Sequence, residues 1–279
     1  MKKITILINH KNEKNYYLAE NIVKFLQNTD AQLFIPDSKP GFDLAACRNI
    51  DFSGLDAALV LGGDGTILAA SRFLSPFAVP MLGINMGKLG FLSEVEQEDV
   101  FTALQALLED KYYIEERMML EAYVLRKGQE VASFVALNDL VVNNSAYTRT
   151  ISIDLILDGQ LINSSRSDGI IIATPTGSTA YSFSAGGPLI MPNMELMLLN
   201  FVCPHSFFSR PIVVPSSSHV EVVYAGEGEG AKLTADGQLF CPLQNGDVVS
   251  VKRLSQNSKL LRFAPLNFFQ RVSSKLNKG

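Results

Sequence analysis

The apolar residues of this chain change their period near Tyr112, and that change constrains the fold more than any other feature. Before it, short apolar runs alternate with segments of helical spacing. "ITILIN" reads as a strand, and "NYYLAENIVKFLQ" follows with Leu18, Ile22, Phe25 and Leu26 on one helical face. "AQLFI", "DAALVLG" and "VPMLGIN" are further strands, with "TILAASRFL" as a helix between the last two. "EDVFTALQALLE" is a helix that clusters Val100, Leu104, Leu107 and Leu108. Apolar strands separated by helices predict an α/β domain with a parallel, Rossmann-like sheet covered on both faces.

After Tyr112 the period is that of strands. "LEAYVLRKGQEVASFVALNDLVV" reads as a hairpin turning at Lys127-Gly128. In "TISIDLILDGQLINS", Ile151, Ile153, Leu155 and Leu157 share one face, and Asp158-Gly159 is a strong hairpin-turn signal. "PIVVP", "HVEVVY", "AKLTADGQ" and "DVVSVKRL" add short strands, so this half is expected to be all-β, antiparallel and sandwich-like. The tail "NFFQRVSSKL" returns to helical spacing. The expected division is an α/β domain over 1–115, with 264–279 returning to it, and an all-β domain over 116–263.

Composition narrows the function. With 47% apolar and 19% charged residues, the chain can bury a large core. A formal net charge of -4 argues against general nucleic-acid binding, which needs a basic surface. Cys47, Cys203 and Cys241 are odd in number and not at metal-ligand spacing, and His10, His205 and His219 are scattered, so no metal-ligating residues are assigned. Reduced thiols and a cytoplasmic protein are the simplest reading. The apolar run after "MKK" is too short for a signal-peptide core and reads as a first strand, and no apolar stretch reaches membrane-spanning length.

Three stretches carry candidate chemistry. In "LGGDGT" a glycine-rich turn leaves a parallel strand and enters a helix, which would offer the backbone of Gly62, Gly63, Gly65 and Thr66 to phosphate. Asp64 inside that turn would repel phosphate, so it either caps the helix, binds a cation or serves a hydroxyl as a base. The usual phosphate motifs are missing: "GINMGK" is one residue short of a P-loop and is followed by Leu89, and "HKNEKN" after the first strand is not G-x-G-x-x-G. The second stretch, "RSDGIIIATPTGSTAYSFSAGGP", joins a charged pair and a buried strand to a loop rich in Gly, Ser and Thr. Such a loop has room for a flat ring, and long ordered loops are usually functional. In the third, "LNDLVV", Asn138-Asp139 inside an apolar strand sets an amide beside a carboxylate, which suits the vicinal hydroxyls of a ribose; a strand-end turn would have the same composition. The histidines and the tail bases Arg271, Lys275 and Lys278 read as solvated surface.

In that order, "GGDGT", "LND" and "DGIIIATPTGSTAYSFSAGGP" closely resemble the NAD kinase family, and "GINMGKLGFLSE", "PHSFFSRPIVV" and "ADGQ" resemble its connecting segments over nearly the whole chain. "GGDGT" alone is shared with diacylglycerol, sphingosine and 6-phosphofructokinases, whereas the "TPTGSTAY" loop is specific. The rival readings are therefore a lipid or sugar kinase and a non-catalytic dinucleotide sensor. The resemblance implies transfer of the ATP γ-phosphoryl group to the 2′-hydroxyl of the adenosine ribose of NAD, giving NADP. It also implies a divalent cation, normally magnesium, accompanying ATP, and a homo-oligomer, dimer or tetramer. By position it makes Asp64 the proton acceptor with Gly65 beside it, and Asn138 and Asp139 the pair that contacts ribose and cation-linked groups. Arg149 matches a downstream basic position, and Arg166 and Asp168 the charged pair before the loop. Thr176 and the run Thr179, Ala180, Tyr181, Ser182, Phe183 and Ser184 match the dinucleotide-binding loop, and Gln238 a late contact.

Overall fold

The computed structural model of the protein describes residues 1–8, 13–34, 50–87, 90–144, 150–204, 210–226, 230–265 and 268–276. His10, Cys47, Lys88, Leu89, Arg149, His205 and Lys278 lie outside the described residues. The chain forms two units, Met1–Glu116 with Gln256–Gly279, and Arg117–Ser255.

The first unit begins with β1 (Lys3–Ile8), α1 (Glu13–Gln27), β2 (Gln32–Phe34), β3 (Ala57–Leu61), α2 (Asp64–Leu74) and β4 (Met81–Asn85). It continues with β5 (Val95–Glu96), α3 (Val100–Leu108) and β6 (Tyr113–Arg117). All five residues of β3 and of β4 are buried, the signature of strands covered on both faces. β1 pairs in parallel with β2 and β3, and β3 with β4. Leu18, Ile22 and Leu26 of α1 and Val100, Leu104 and Leu107 of α3 enter the same core as Ile4, Leu59 and Ile84. Phe25 and Leu108 pack at its margin.

Among the described residues the second unit has twelve strands, first β7 (Leu120–Arg126), β8 (Gln129–Ala136), β9 (Asp139–Asn144), β10 (Ile151–Leu157), β11 (Gln160–Ser167) and β12 (Gly169–Ala173). A single helical turn, α4 (Tyr181–Ser184), precedes β13 (Leu196–Val202), β14 (Ile212–Pro215), β15 (Val220–Tyr224), β16 (Ala231–Ala235), β17 (Leu239–Leu243) and β18 (Val248–Arg253). They form two six-stranded sheets, ordered β11-β10-β15-β18-β7-β8 and β14-β13-β12-β9-β16-β17. Inward residues of both, among them Ala122, Val124, Ile153, Leu155, Leu140, Val142, Ile172 and Leu233, share one core, as expected of a sandwich. The Lys127-Gly128 and Asp158-Gly159 turns both have two successive positive φ values, 51° and 78° and then 49° and 81°, the geometry that matches the twist of a two-residue hairpin.

The chain then re-enters the first unit at Gln256, ahead of residue 264. The reason is β19 (Ser258–Arg262), which pairs in parallel with β4 and buries Leu260 and Leu261. Each fully buried leucine contributes about 1.5–3 kcal/mol, enough to hold a short strand in place. α5 (Phe268–Leu276) follows and buries Phe268 and Val272. Among the described residues no helix is long and apolar enough to cross a membrane.

Leu155 in β10 has no solvent exposure. Leu155→Ala is expected to lower the unfolding free energy of the second unit by about 2–5 kcal/mol, read by urea denaturation at unchanged m-value.

Candidate active site

In the first unit, β3 delivers the chain into the "GGDGT" turn. Gly62 adopts φ 155°, and a Cβ there would come within 2.7 Å of Thr66 Cβ, so glycine is needed for both reasons. Gly62 and Thr66 are buried, whereas Gly63 and Gly65 are exposed at the start of α2. Asp64 is the first residue of α2, one position past the N-cap, which Gly63 occupies. The carboxylate reaches to the segment after β4: Oδ2 accepts the Phe91 N–H at 2.7 Å, and Oδ1 accepts those of Leu92 and Ser93 at 3.1 and 3.4 Å. A carboxylate has about four acceptor positions, so these three bonds leave one on Oδ2 unused. Gly90 lies against the same carboxylate, since a Cβ there would come within 2.6 Å of Oδ2.

The opposite side of residues 92–94 is held by cations. Arg262 Nη1 donates to the Leu92 carbonyl at 3.0 Å and to Glu94 at 2.9 Å, and Arg262 Nε to Glu115 at 2.6 Å. Arg271 Nη1 donates to the Ser93 carbonyl at 2.6 Å, and its Nη2 to Glu94 at 3.0 Å. The reading of Arg271 as solvated surface is thus overturned: its side chain is 20% exposed and bonded to backbone and carboxylate. Lys275 is exposed, as expected.

In the second unit, Asn138 lies in the tight connection from β8, and Asp139 opens β9, so the pair stands at a strand junction rather than within a strand. That junction is pinned from both sides. Asp236, in the turn between β16 and β17 at φ 50°, accepts the N–H groups of Leu137, Asn138 and Asp139 at 3.2, 2.8 and 3.3 Å. From the other side the Thr174 hydroxyl donates to the Leu137 carbonyl at 2.6 Å, and the Thr174 N–H to the Asn138 carbonyl at 2.9 Å. Gly177 sits on the Asn138 peptide, where a Cβ would come within 2.9 Å of Asn138 Cα. Asn200, buried in β13, ties the loop down by donating to the carbonyls of Ser182 and Ala185, both at 3.1 Å.

These elements frame a cavity of about 340 Å³. Asn138, Asp139, Ala180 and Tyr181 line it, so the "LND" and "TPTGSTAY" stretches do meet. Asp139, Val141 and Asn143 line one wall from alternate positions of β9, and Lys232 and Thr234 continue it on β16. Asp236 and Gly237 complete it. Counting by twos from Asp139 would have found Val141 and Asn143; nothing local in "ADGQ" marks Asp236 over Gln238, which is exposed and not among the lining residues. Asn143 Oδ1 is buried without a hydrogen-bond partner among the described residues.

Thr176 and Thr179 of the loop have internal partners, whereas the Ser182 hydroxyl is buried without a hydrogen-bond partner among the described residues. Thr176 is buried and its hydroxyl accepts from Arg117 at 3.2 Å, the Thr179 hydroxyl donates to the Thr176 carbonyl at 3.2 Å, and Ser182 is buried against Gly187. Phe183 is half-buried, and Ser184 is exposed. Arg166 and Asp168 are exposed on either side of buried Ser167. Asp168 nonetheless belongs to the neighbourhood: burial raises the Tyr181 phenol, and Cys203, Asp168 and Asp139 raise it further. Asp139 itself is pushed from 3.8 to about 7, first by burial and then by the Asp236 charge. Among the described residues no group of three or more His, Cys, Asp or Glu gathers to hold a metal.

The fold class is that of solved kinases of pyridine dinucleotides. The yeast NADH kinase complexed with NADH has a TM-score of 0.81 at 24% identity, covering 100% of this chain and 88% of that one. An NAD kinase from Archaeoglobus fulgidus in complex with ATP has a TM-score of 0.74 at 26% identity, covering 99% of each. The NAD kinase of Thermoanaerobacter sp. is 36% identical over 282 residues, the full length of both chains. That of Koribacter versatilis is 42% identical over 222 residues, 80% of this chain and 78% of that one. Family models of the ATP-NAD kinase N-terminal and C-terminal domains match residues 36–112 and 137–263. The chain belongs to the ATP-NAD kinase family. Its reaction is transfer of the γ-phosphoryl group of ATP to the 2′-hydroxyl of the adenosine ribose of NAD, giving NADP.

The buried Asp139 carboxyl makes stability depend on pH. Its folded value, about 7, exceeds its ordinary value, 3.8, so the folded chain binds more protons between those values. Stability from this group is therefore full below pH 4 and falls as pH rises toward 7. Thermal melts of the parent and Asp139→Asn across pH 4–8 are expected to show the variant gaining on the parent through that window. A flat difference would show Asp139 to be charged throughout.

Proposed function

We propose that in this chain the phosphorylation of NAD runs through Asp64, which accepts the proton of the 2′-hydroxyl as that oxygen attacks the γ-phosphorus of ATP. The observation that carries this reading is the carboxylate held by three backbone N–H groups with one acceptor position left unused by them. Phosphoryl transfer asks little covalent chemistry of the protein; it asks for an in-line nucleophile and neutralised charge. A carboxylate that cannot rotate supplies the first. The exposed Gly63 and Gly65 backbone at the α2 N-terminus, where the helix dipole favours anions, supports a part in the second. Magnesium enters with ATP as part of the substrate and screens the transferred group.

The cavity beside Asn138, Asp139 and Tyr181 takes the adenosine end of NAD in this reading. Its volume falls in the range of small-molecule sites, its lining offers an aromatic ring for the base, and Asn138 and Asp139 offer an amide and a carboxyl for ribose hydroxyls. Ala180, Thr179 and Phe183 shape its approach, and Asp168 and Arg166 contact the dinucleotide from the exposed edge. The enzyme works as a homo-oligomer in the cytoplasm.

Two variants test the assignment. Asp64→Asn is expected to lower kcat by about 10²–10⁴-fold while NAD still binds, followed by NADP formation and by direct NAD titration. A folded variant with near-normal turnover would sink the role given to Asp64. Tyr181→Ala is expected to raise the KM for NAD more than that for ATP; an effect confined to ATP would move the base out of this cavity.

A further inference from the structure

We infer that Arg262 and Arg271 are positioning residues for phosphoryl transfer, acting on Asp64 through the peptide groups of residues 92–94. The inference rests on the role given above to Asp64. The Leu92 carbonyl and the Ser93 N–H belong to one peptide unit. Its oxygen accepts Arg262 at 3.0 Å, and its N–H donates to Asp64 Oδ1 at 3.4 Å. The next unit is held in the same way: the Ser93 carbonyl accepts Arg271 at 2.6 Å and Arg262 at 3.5 Å, and the Glu94 N–H donates to the Gly83 carbonyl of β4 at 2.8 Å. Two guanidinium groups thus grip the outer face of the segment whose inner face grips the carboxylate.

Two effects follow. The first is geometric. Oδ1 is aligned by the Leu92 and Ser93 N–H groups, and their direction fixes where the unused position on Oδ2 points. A misplacement of about 1 Å in such a group costs about 10²-fold in rate. The second is polarisation by Arg262, since a cation on the Leu92 carbonyl strengthens the Ser93 N–H as a donor to Asp64; Arg271 holds the next peptide, whose N–H bonds Gly83, and acts by geometry alone. Glu94 and Glu115 neutralise the two cations and orient them, with Glu94 Oε2 shared between Arg262 and Arg271. Those two carboxylates neutralise the Arg262 charge. The added bonds to the Leu92 and Ser93 carbonyls select the one segment that holds Asp64.

Arg271 gives the cleaner test, because its side chain is part-exposed whereas that of Arg262 has no exposure. Arg271→Gln, in the full-length enzyme, is expected to lower kcat about 10- to 100-fold with the KM for NAD and for ATP within about twofold. Arg271→Lys keeps the charge, loses the fork and recovers part of the loss. Amide exchange at Phe91, Leu92 and Ser93 quickens in Arg271→Gln. In an Asp64→Asn background, Arg271→Gln adds no further loss, because the group it positions is gone. The inference is overturned by a folded Arg271→Gln with unchanged kcat, by a loss confined to KM, or by a full additional loss in the Asp64→Asn background. Near-normal turnover of Asp64→Asn alone would remove the role of Asp64 first, and the relay with it, before any arginine is changed. Should Arg271→Gln fail to fold, the Arg271→Lys variant, alone and with Asp64→Asn, decides by the same criteria.

Discussion

A guanidinium with no solvent exposure is tolerable only where carboxylates and carbonyls replace its hydration, and the first unit meets most of that demand at Arg262, whose Nε and Nη1 are bonded while Nη2 is buried without a partner among the described residues. Its partners come from β6, through Glu115, and from the segment after β4, through Leu92 and Glu94. Arg271 on α5 joins through Glu94. Removing one partner from such a buried group costs about 3–5 kcal/mol, because the remaining charge is left uncompensated. The network therefore does more than add stability. It ties β19 and α5 to the backbone that holds Asp64, so both elements bear on the candidate catalytic carboxylate.

The two units use the same device. In each, an aspartate accepts three consecutive backbone N–H groups: Asp64 those of Phe91 to Ser93, and Asp236 those of Leu137 to Asp139. A carboxylate used this way makes a rigid corner, because rotating it would break three bonds at once. In the second unit the corner has a cost. It sets the Asp236 charge close to the Asp139 carboxyl, which is held toward its protonated form first by burial and then by that charge. Local conflict of this kind is common at functional sites, and here the surrounding sandwich over-determines an arrangement that is unfavourable by itself.

The elements of both units were readable because they follow from local rules. Fully apolar runs such as "AALVL" and "MLGIN" announce strands buried on both faces, and the Ile151, Ile153, Leu155 alternation announces a half-buried one. Lys127-Gly128 and Asp158-Gly159 announce their hairpins through the positive φ that such turns require. The candidate site was readable in part. "LND" and "TPTGSTAY" share a cavity, but Asp236, Asn143 and Lys232 complete it, and Asn200, visible in the sequence only as an interruption of an apolar run, anchors the loop. Gly177 could not be told from the other loop glycines until the Asn138 peptide was found beneath it.

What the sequence by itself determined is the order and kind of elements and the identity of the motifs, since both depend on residues within a few positions of one another. Only the tertiary structure decided the partners of the charged groups. Asp64 meets amides 27 to 29 residues away, and Arg271 a carbonyl 178 residues away. Hydrophobic period carries no information about contacts at that separation. An arginine that bonds a buried backbone and one that faces water are written with the same letter, and burial, a property of the assembled sheet, separates them.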